Sequence, residues 1–130
     1  MYCLETDFLV DLLRKNPAAH AKLEKLAEST EPLSVTPVSA AELFEGAFRS
    51  GRPEELLKVE DALFKFKLLE FDLPSARAAG ELLFQLSKKG EKIGDLDTLT
   101  AAIALRHDQT IITKNKKHYA KIHRLKSQDW

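Results

Sequence analysis

Short apolar runs, each followed within a few residues by a helical pattern, constrain this chain more than any other feature. The alternation is clearest between Lys92 and Tyr119. Two acids, Asp95 and Asp97, lead into an apolar helical run (Leu99, Ala102, Ile103, Leu105), then a turn at His107, Asp108 and Gln109, then a β-branched strand, Thr110 to Thr113. Parallel strands need a crossover to reach one another. The alternation therefore predicts a layered α/β/α fold around a mostly parallel sheet, here of four or five strands. Right-handed crossovers set every strand-to-helix junction on the carboxyl edge of that sheet, where open α/β folds bind ligands. A helix that feeds a strand also starts near this edge. Asp95 and Asp97 are thereby placed on it, and Asn115 leaves strand 110–113 on the same side.

The remaining elements are read from the same patterns. Tyr2 to Leu4 reads as a strand and Asp7 to Arg14 as a helix with Phe8, Leu9, Leu12 and Leu13 inward and Thr6 or Asp7 as its cap. Asn16 and Pro17 end that helix and open another that runs to Ser29. Leu33 to Thr36 alternates as a strand, and Ser39 and Glu42 have capping-box spacing at the head of a helix that stops before Gly51. Helices over 53–66 and 74–88 flank a third strand, Leu68 to Phe71, with Asp72 in the turn after it and Gly90 closing the second helix. Lys116 to Lys121 reads as a short helix and Ile122 to Leu125 as a last strand.

With 130 residues and 44% hydrophobic content, residues 1–130 are expected to form one domain with one core. Lys plus Arg equals Asp plus Glu at 20 each, which excludes a globally basic nucleic-acid binder. Any such surface must be a local patch, for which Arg49, Lys89, Lys92, Lys114, Lys116 and Lys117 are candidates. The single Cys3 permits no internal disulfide and suits a reducing interior. No basic segment followed by an apolar one opens the chain, and no run approaches a membrane span, so a soluble cytoplasmic protein is expected, with no membrane partner.

Glu5, Glu42, Asp95, Asp97 and Asn115 converge on the carboxyl edge although they are far apart in sequence. Clustered carboxylates repel one another and call for a cation, a basic partner or raised pKa values. Oxygen donors favour Mg²⁺ or Mn²⁺ over Zn²⁺, and the histidines at 20, 107, 118 and 123 show no zinc-binding spacing. Each acid also has a plainer reading. Glu42 can close a capping box, Asp7, Asp95, Asp97 and Asn115 can cap helices, Asp11 can pair with Arg14, and Glu5 can pair with a lysine such as Lys114.

Four segments, LETDFLVDLL (Leu4 to Leu13), SAAELFEGA (Ser39 to Ala47), IGDLDTLTAAIAL (Ile93 to Leu105) and TIITKNKKHY (Thr110 to Tyr119), resemble the signature segments of PIN domains, specifically VapC-type toxin ribonucleases. They recur in the family's order across nearly the whole chain. The resemblance implies an Mg²⁺- or Mn²⁺-dependent endoribonuclease, the toxin of a VapBC-type pair, with an antitoxin partner, an RNA substrate and a homodimeric state. It implies Glu42 and Asp97 as metal-binding acids, completed by Asn115, with Asp97 or Asp95 orienting or deprotonating the attacking water. Glu5 stands where the family normally has Asp, and Asp7 where it has Asn or Ser, so Glu5 is expected as the first-strand ligand with Asp7 able to share that duty. The alternative is a catalytically degenerate PIN domain whose acidic pocket receives a basic partner segment. A receiver-like phosphoacceptor is a weaker third reading, since receivers have no reason to place acids at 95 and 97.

Overall fold

The structure is a computed structural model that describes residues 1–130. Five strands, β1 (Tyr2–Leu4), β2 (Ser34–Val35), β3 (Lys67–Leu68), β4 (Thr110–Ile112) and β5 (Lys126–Gln128), form one sheet in the order β3-β2-β1-β4-β5. Every pairing is parallel, and β1 lies at the centre, with Leu4 opposite Ile112 and Cys3 opposite Ser34. Seven helices cover the sheet: α1 (Thr6–Leu13), α2 (Pro17–Leu26), α3 (Pro37–Ser50), α4 (Pro53–Phe64), α5 (Leu73–Lys89), α6 (Asp95–Arg106) and α7 (Lys116–Tyr119). None is long and apolar enough to cross a membrane.

The local sequence accounts for most of the boundaries. Asn16, Thr36 and Asp72 each accept a hydrogen bond from the backbone N–H three residues on, and each is succeeded by a proline in the first helical turn. Each cap satisfies one of the backbone N–H groups that the first turn of its helix leaves unpaired.

Because β1 and β4 are buried on both faces, they read as continuous apolar runs rather than alternating ones. Leu4 and Ile112 point into a core with Phe8, Leu9, Val35 and Leu43, while Ile111 faces a second cluster with Leu86, Ala101, Ala104 and Tyr119. Ala101, Ala102, Ile103 and Ala104 are all fully buried, so α6 is enclosed on every side. Its small residues let neighbouring backbone approach closely, and the helix start is held firmly at the sheet edge.

Two strands differ from expectation. The third pairs over Lys67–Leu68 rather than 68–71, because Lys67 and Leu69 donate to Leu33 and Val35 and the chain then leaves the sheet for the Asp72 cap. The last begins at Lys126 rather than Ile122. Ile122 drops into the core beneath a run of turns, and Arg124 takes a left-handed conformation (φ 69°) before the chain can extend. The polar sequence Lys-Ser-Gln then pairs with Thr110–Ile112 as an edge strand, and its backbone rather than any apolar pattern defines it. The second helix likewise stops at Leu26, short of Ser29.

Candidate active site at the carboxyl edge

Glu5 comes directly after β1 and occupies the N-cap position of α1 in an extended conformation. Its backbone N–H donates to Ile112 across the sheet, which draws the side chain inward until only 6% of the residue is exposed. No cation pairs with it. Lys114, the partner that the plainer reading offered, lies instead 3.7 Å from Asp11 and over the ring of Trp130. Burial is the largest influence on Glu5 and pushes its carboxyl up to about 7, against hydrogen bonds from Thr6 and with repulsion from Asp7 and Asp97 added.

Glu42 does not close a capping box. Thr36 caps α3 by accepting the Ser39 N–H at 3.1 Å, so the helix begins at Pro37 and carries Glu42 well past its first turn. The carboxylate is free to face the site, where the Thr6 hydroxyl donates to its Oε1 at 2.9 Å while lying 3.0 Å from the Ser39 hydroxyl. Thr6 thereby ties the head of α1 to α3.

Asp97 lies in the first turn of α6, after Gly94 has turned the chain with φ 97°. Its Oδ2 is 3.0 Å from His118 Nδ1 and 3.4 Å from Asn115 Nδ2, and those two side-chain nitrogens are 2.8 Å apart. Asn115 therefore turns its side chain toward Asp97 and does not cap α7. Asp95, two residues earlier, is exposed and lines a small cleft with Lys92, Ile93 and Thr98. It makes no hydrogen bond to the other acids.

Asp7 acts as a bridge. Its Oδ1 accepts from the Phe8 N–H at 2.8 Å, and its Oδ2 accepts from the Thr113 hydroxyl at 3.0 Å and the Lys114 N–H at 2.9 Å, which locks α1 to the end of β4. Asp11 faces Lys114 and the Trp130 indole rather than Arg14. Among the basic candidates, Arg49 pairs with Glu45 and Lys116 with Asp129.

Three residues near the acids were not among the site residues expected from sequence: Thr6, read there as a helix cap, His118, whose ligand-type side chain one helical turn beyond Asn115 was the available signal, and Tyr119. Tyr119 is fully buried with a hydroxyl that lacks a partner, and its ionisation is opposed first by burial and then by the charges of Glu5 and Asp97. Beside Glu42 lies an open cavity of about 700 Å³, lined by Thr6, Val38, Ala41, Glu45, Phe71 and Leu96. The acids share this edge without closing on one point. No three His, Cys, Asp or Glu side chains are arranged closely enough to hold a metal ion.

The PIN domain pattern matches residues 2–124. The chain belongs to the PIN domain family. Relatives of this PIN domain extend along its whole length. Ribonuclease VapC2 of Haemophilus influenzae is 26% identical over 99% of this chain and 97% of its own, and the tRNA(fMet)-specific endonuclease VapC of Shigella flexneri is 25% identical over the same shares. Among solved structures, VapBC2 of Rickettsia felis bound to a DNA fragment from its promoter contains a chain that superposes with a TM-score of 0.90. That chain is 29% identical, and the match covers 99% of this PIN domain and 98% of the other chain.

Proposed function

We propose that the protein is a divalent-cation-dependent endoribonuclease that hydrolyses RNA phosphodiester bonds as the toxin of a VapBC-type pair. The observation that carries this reading is the buried carboxylate of Glu5, which faces Asp97 and Asp7 with no cation to offset it. A protein gains nothing from such a group unless a ligand compensates it. The chemistry of the donors, three carboxylates and an amide from Glu5, Glu42, Asp97 and Asn115 with no thiolate among them, suits a hard divalent ion, which would have to draw the acids together from the open arrangement seen here. The character of the relatives, ribonucleases and an endonuclease, supports the choice of substrate.

In this mechanism Glu5, Glu42 and Asp97 would hold the ion, with Asn115 beside Asp97. When bound, Mg²⁺ or Mn²⁺ supplies positive charge against the phosphoryl oxygens and lowers the cost of deprotonating water. Thr6 orients Glu42 through its hydroxyl. Asp97 orients the attacking water and takes its proton toward the site edge. Asp7, with three hydrogen bonds to its carboxylate, serves as a scaffold rather than a ligand. Asp95 is left to favour the helix N-terminus.

An antitoxin partner is supported by the solved complexes that share the fold, and an anionic site flanked by the apolar cavity of Phe71 and Leu96 suits a segment with basic and apolar side chains. Exposed Leu73 and Phe84 on α5 support self-association as a homodimer, which sedimentation analysis checks. The central test is cleavage of an RNA pool by purified protein. Mg²⁺ or Mn²⁺ should be required, chelator should stop the reaction, and Asp97→Asn should lower the rate at least about a hundredfold. Cleavage that persists in chelator or in that variant overturns the reading. Inactivity under all conditions together with tight capture of a basic partner segment favours the degenerate binding module.

A further inference from the structure

We infer that the cleft between α5 and the segment joining α7 to β5 is where the RNA strand lies as it leaves the acids, with phosphates on Lys89, Lys121 and Arg124 and a base over the apolar floor between them. The inference deepens the proposed function and rests on its assignment of RNA as the substrate.

The charge of this segment is unlike that of the chain. Residues 114–126 hold Lys114, Lys116, Lys117, Lys121, Arg124 and Lys126 with no acid among them, although the charges of the whole sequence cancel. Lys114 and Lys116 are drawn to Asp11 and Asp129, but Lys117, Lys121, Arg124 and Lys126 are exposed and make no ion pair. On α3 and α4 the exposed cations sit one turn from an acid, Arg49 with Glu45 and Lys58 with Glu55. Like charges left together repel, and a polyanion is the partner that relieves them.

The shape fits a single strand. Lys121 and His123 line one side of a cleft of about 260 Å³ and Lys89, the last residue of α5, lines the other, over a floor of Leu82, Leu86 and Ile122. Phosphates take the cations and an unstacked base takes the floor, with the His123 ring placed to stack on it. Glu81 is the acid on the rim, and Gln85 already donates to it at 3.2 Å. Leu86 also lines the smaller cleft of Lys92 and Asp95, so the surface continues to the head of α6 and Asp97.

Arg124 adds a separate observation. Its φ of 69° is a conformation that glycine adopts at less cost, and its side chain makes no hydrogen bond or ion pair within the chain. The fold does not account for an arginine at that turn. A guanidinium held out for a phosphate does.

The test uses the full chain in chelator, so that nothing is cut, and follows a fluorescein-labelled single-stranded RNA of mixed sequence by anisotropy. A triple variant, Lys89→Gln, Lys121→Gln and Arg124→Gln, should bind at least about tenfold more weakly at 0.1 M salt, and its log affinity should fall less steeply with log salt, by about 2 in slope. Arg14→Gln, Lys25→Gln and Lys65→Gln together remove the same charge from exposed positions on the opposite layer and should change affinity less than about threefold. Arg124→Gly alone should weaken RNA binding while the melting temperature holds or rises, which a structural role for Arg124 would not produce. With Mg²⁺ or Mn²⁺ added, the first triple variant should raise KM about tenfold and leave kcat within about threefold. Equal weakening in both triple variants, or an unchanged salt slope in the first, overturns the proposal. So does RNA affinity that is intact in the first variant while its affinity for polyglutamate is lost, which would give the cleft to an acidic protein partner. Loss of RNA affinity in the variant of a protein that cuts no RNA sinks the nuclease reading and keeps the surface. Cation-dependent cleavage with KM unchanged in the variant does the reverse.

Discussion

Of the acids at the carboxyl edge, Glu5 is the one that water scarcely reaches, and its protonation should be visible in stability. Its carboxyl titrates near 7 in the folded chain, against 4.5 when unperturbed. Between those values the folded state holds a proton that the unfolded state has lost. The favourable contribution is therefore fully present below about pH 4.5 and disappears as pH rises through 7. The loss is on the order of 2–3 kcal/mol. In chelator, the melting temperature should fall from pH 5 to pH 8, and Glu5→Gln should flatten that fall and be the more stable protein at pH 8. Divalent cation should restore the unmodified protein at pH 8 and do little for the variant. An equal fall in both proteins would mean that Glu5 is not the group under strain. Glu5→Asp, which keeps the charge one methylene closer to β1, should retain cation binding.

At the scale of elements, the start of α6 is set by Gly94. Its φ of 97° is a conformation that side-chain-bearing residues rarely adopt, and no atom lies within 4 Å of where a Cβ would sit. Gly94→Ala should therefore cost about 1–3 kcal/mol through backbone strain rather than collision. The strain should turn the first helical turn and move Asp97, so cation affinity should fall together with the melting temperature. Gly80→Ala is the control: it lies exposed within α5 with the same open surroundings and should raise stability by about 0.5–1 kcal/mol without touching the site. Loss of cation affinity in Gly80→Ala, or its retention in a destabilised Gly94→Ala, would separate α6 geometry from binding. The cap of α3 gives a milder case. Thr36→Ala should cost about 1 kcal/mol, and Thr36→Ser should restore most of it.

Across the whole molecule, β5 closes the sheet with polar residues and depends on Trp130 to hold it there. Trp130 meets Phe8 edge-on at 4.9 Å, donates to Asp11 at 3.2 Å and lies beneath the Lys114 ammonium. These contacts fasten the last strand to α1, the helix that carries Thr6 and Asp7. Trp130→Ala should lower stability by about 2–3 kcal/mol in chemical denaturation, and Trp130→Phe should recover the aromatic part of that loss. An unchanged denaturation midpoint in Trp130→Ala would show that β5 is held by its ladder alone.

The parallel sheet and the edge on which the acids gather were legible in the sequence, because strand and helix periodicities fix which elements exist and handed crossovers fix where their junctions lie. Asp97 and Asn115 could be brought to one edge in that way without any distance being known. The edge strand at 126–128 could not, since Lys-Ser-Gln has no apolar alternation and becomes a strand only by pairing with β4. Nor could Glu42 be released from a capping role, because a threonine three residues before Ser39 competed for the same backbone N–H and won through the proline next to it. Which carboxylates face one another, that Asp95 turns to solvent while Asp97 meets His118, and that Lys114 goes to Asp11 and Trp130 rather than Glu5, were decided by packing. Those contacts join segments far apart in the chain, and at such separations side-chain direction is set by how helices seat on the sheet, not by any local pattern.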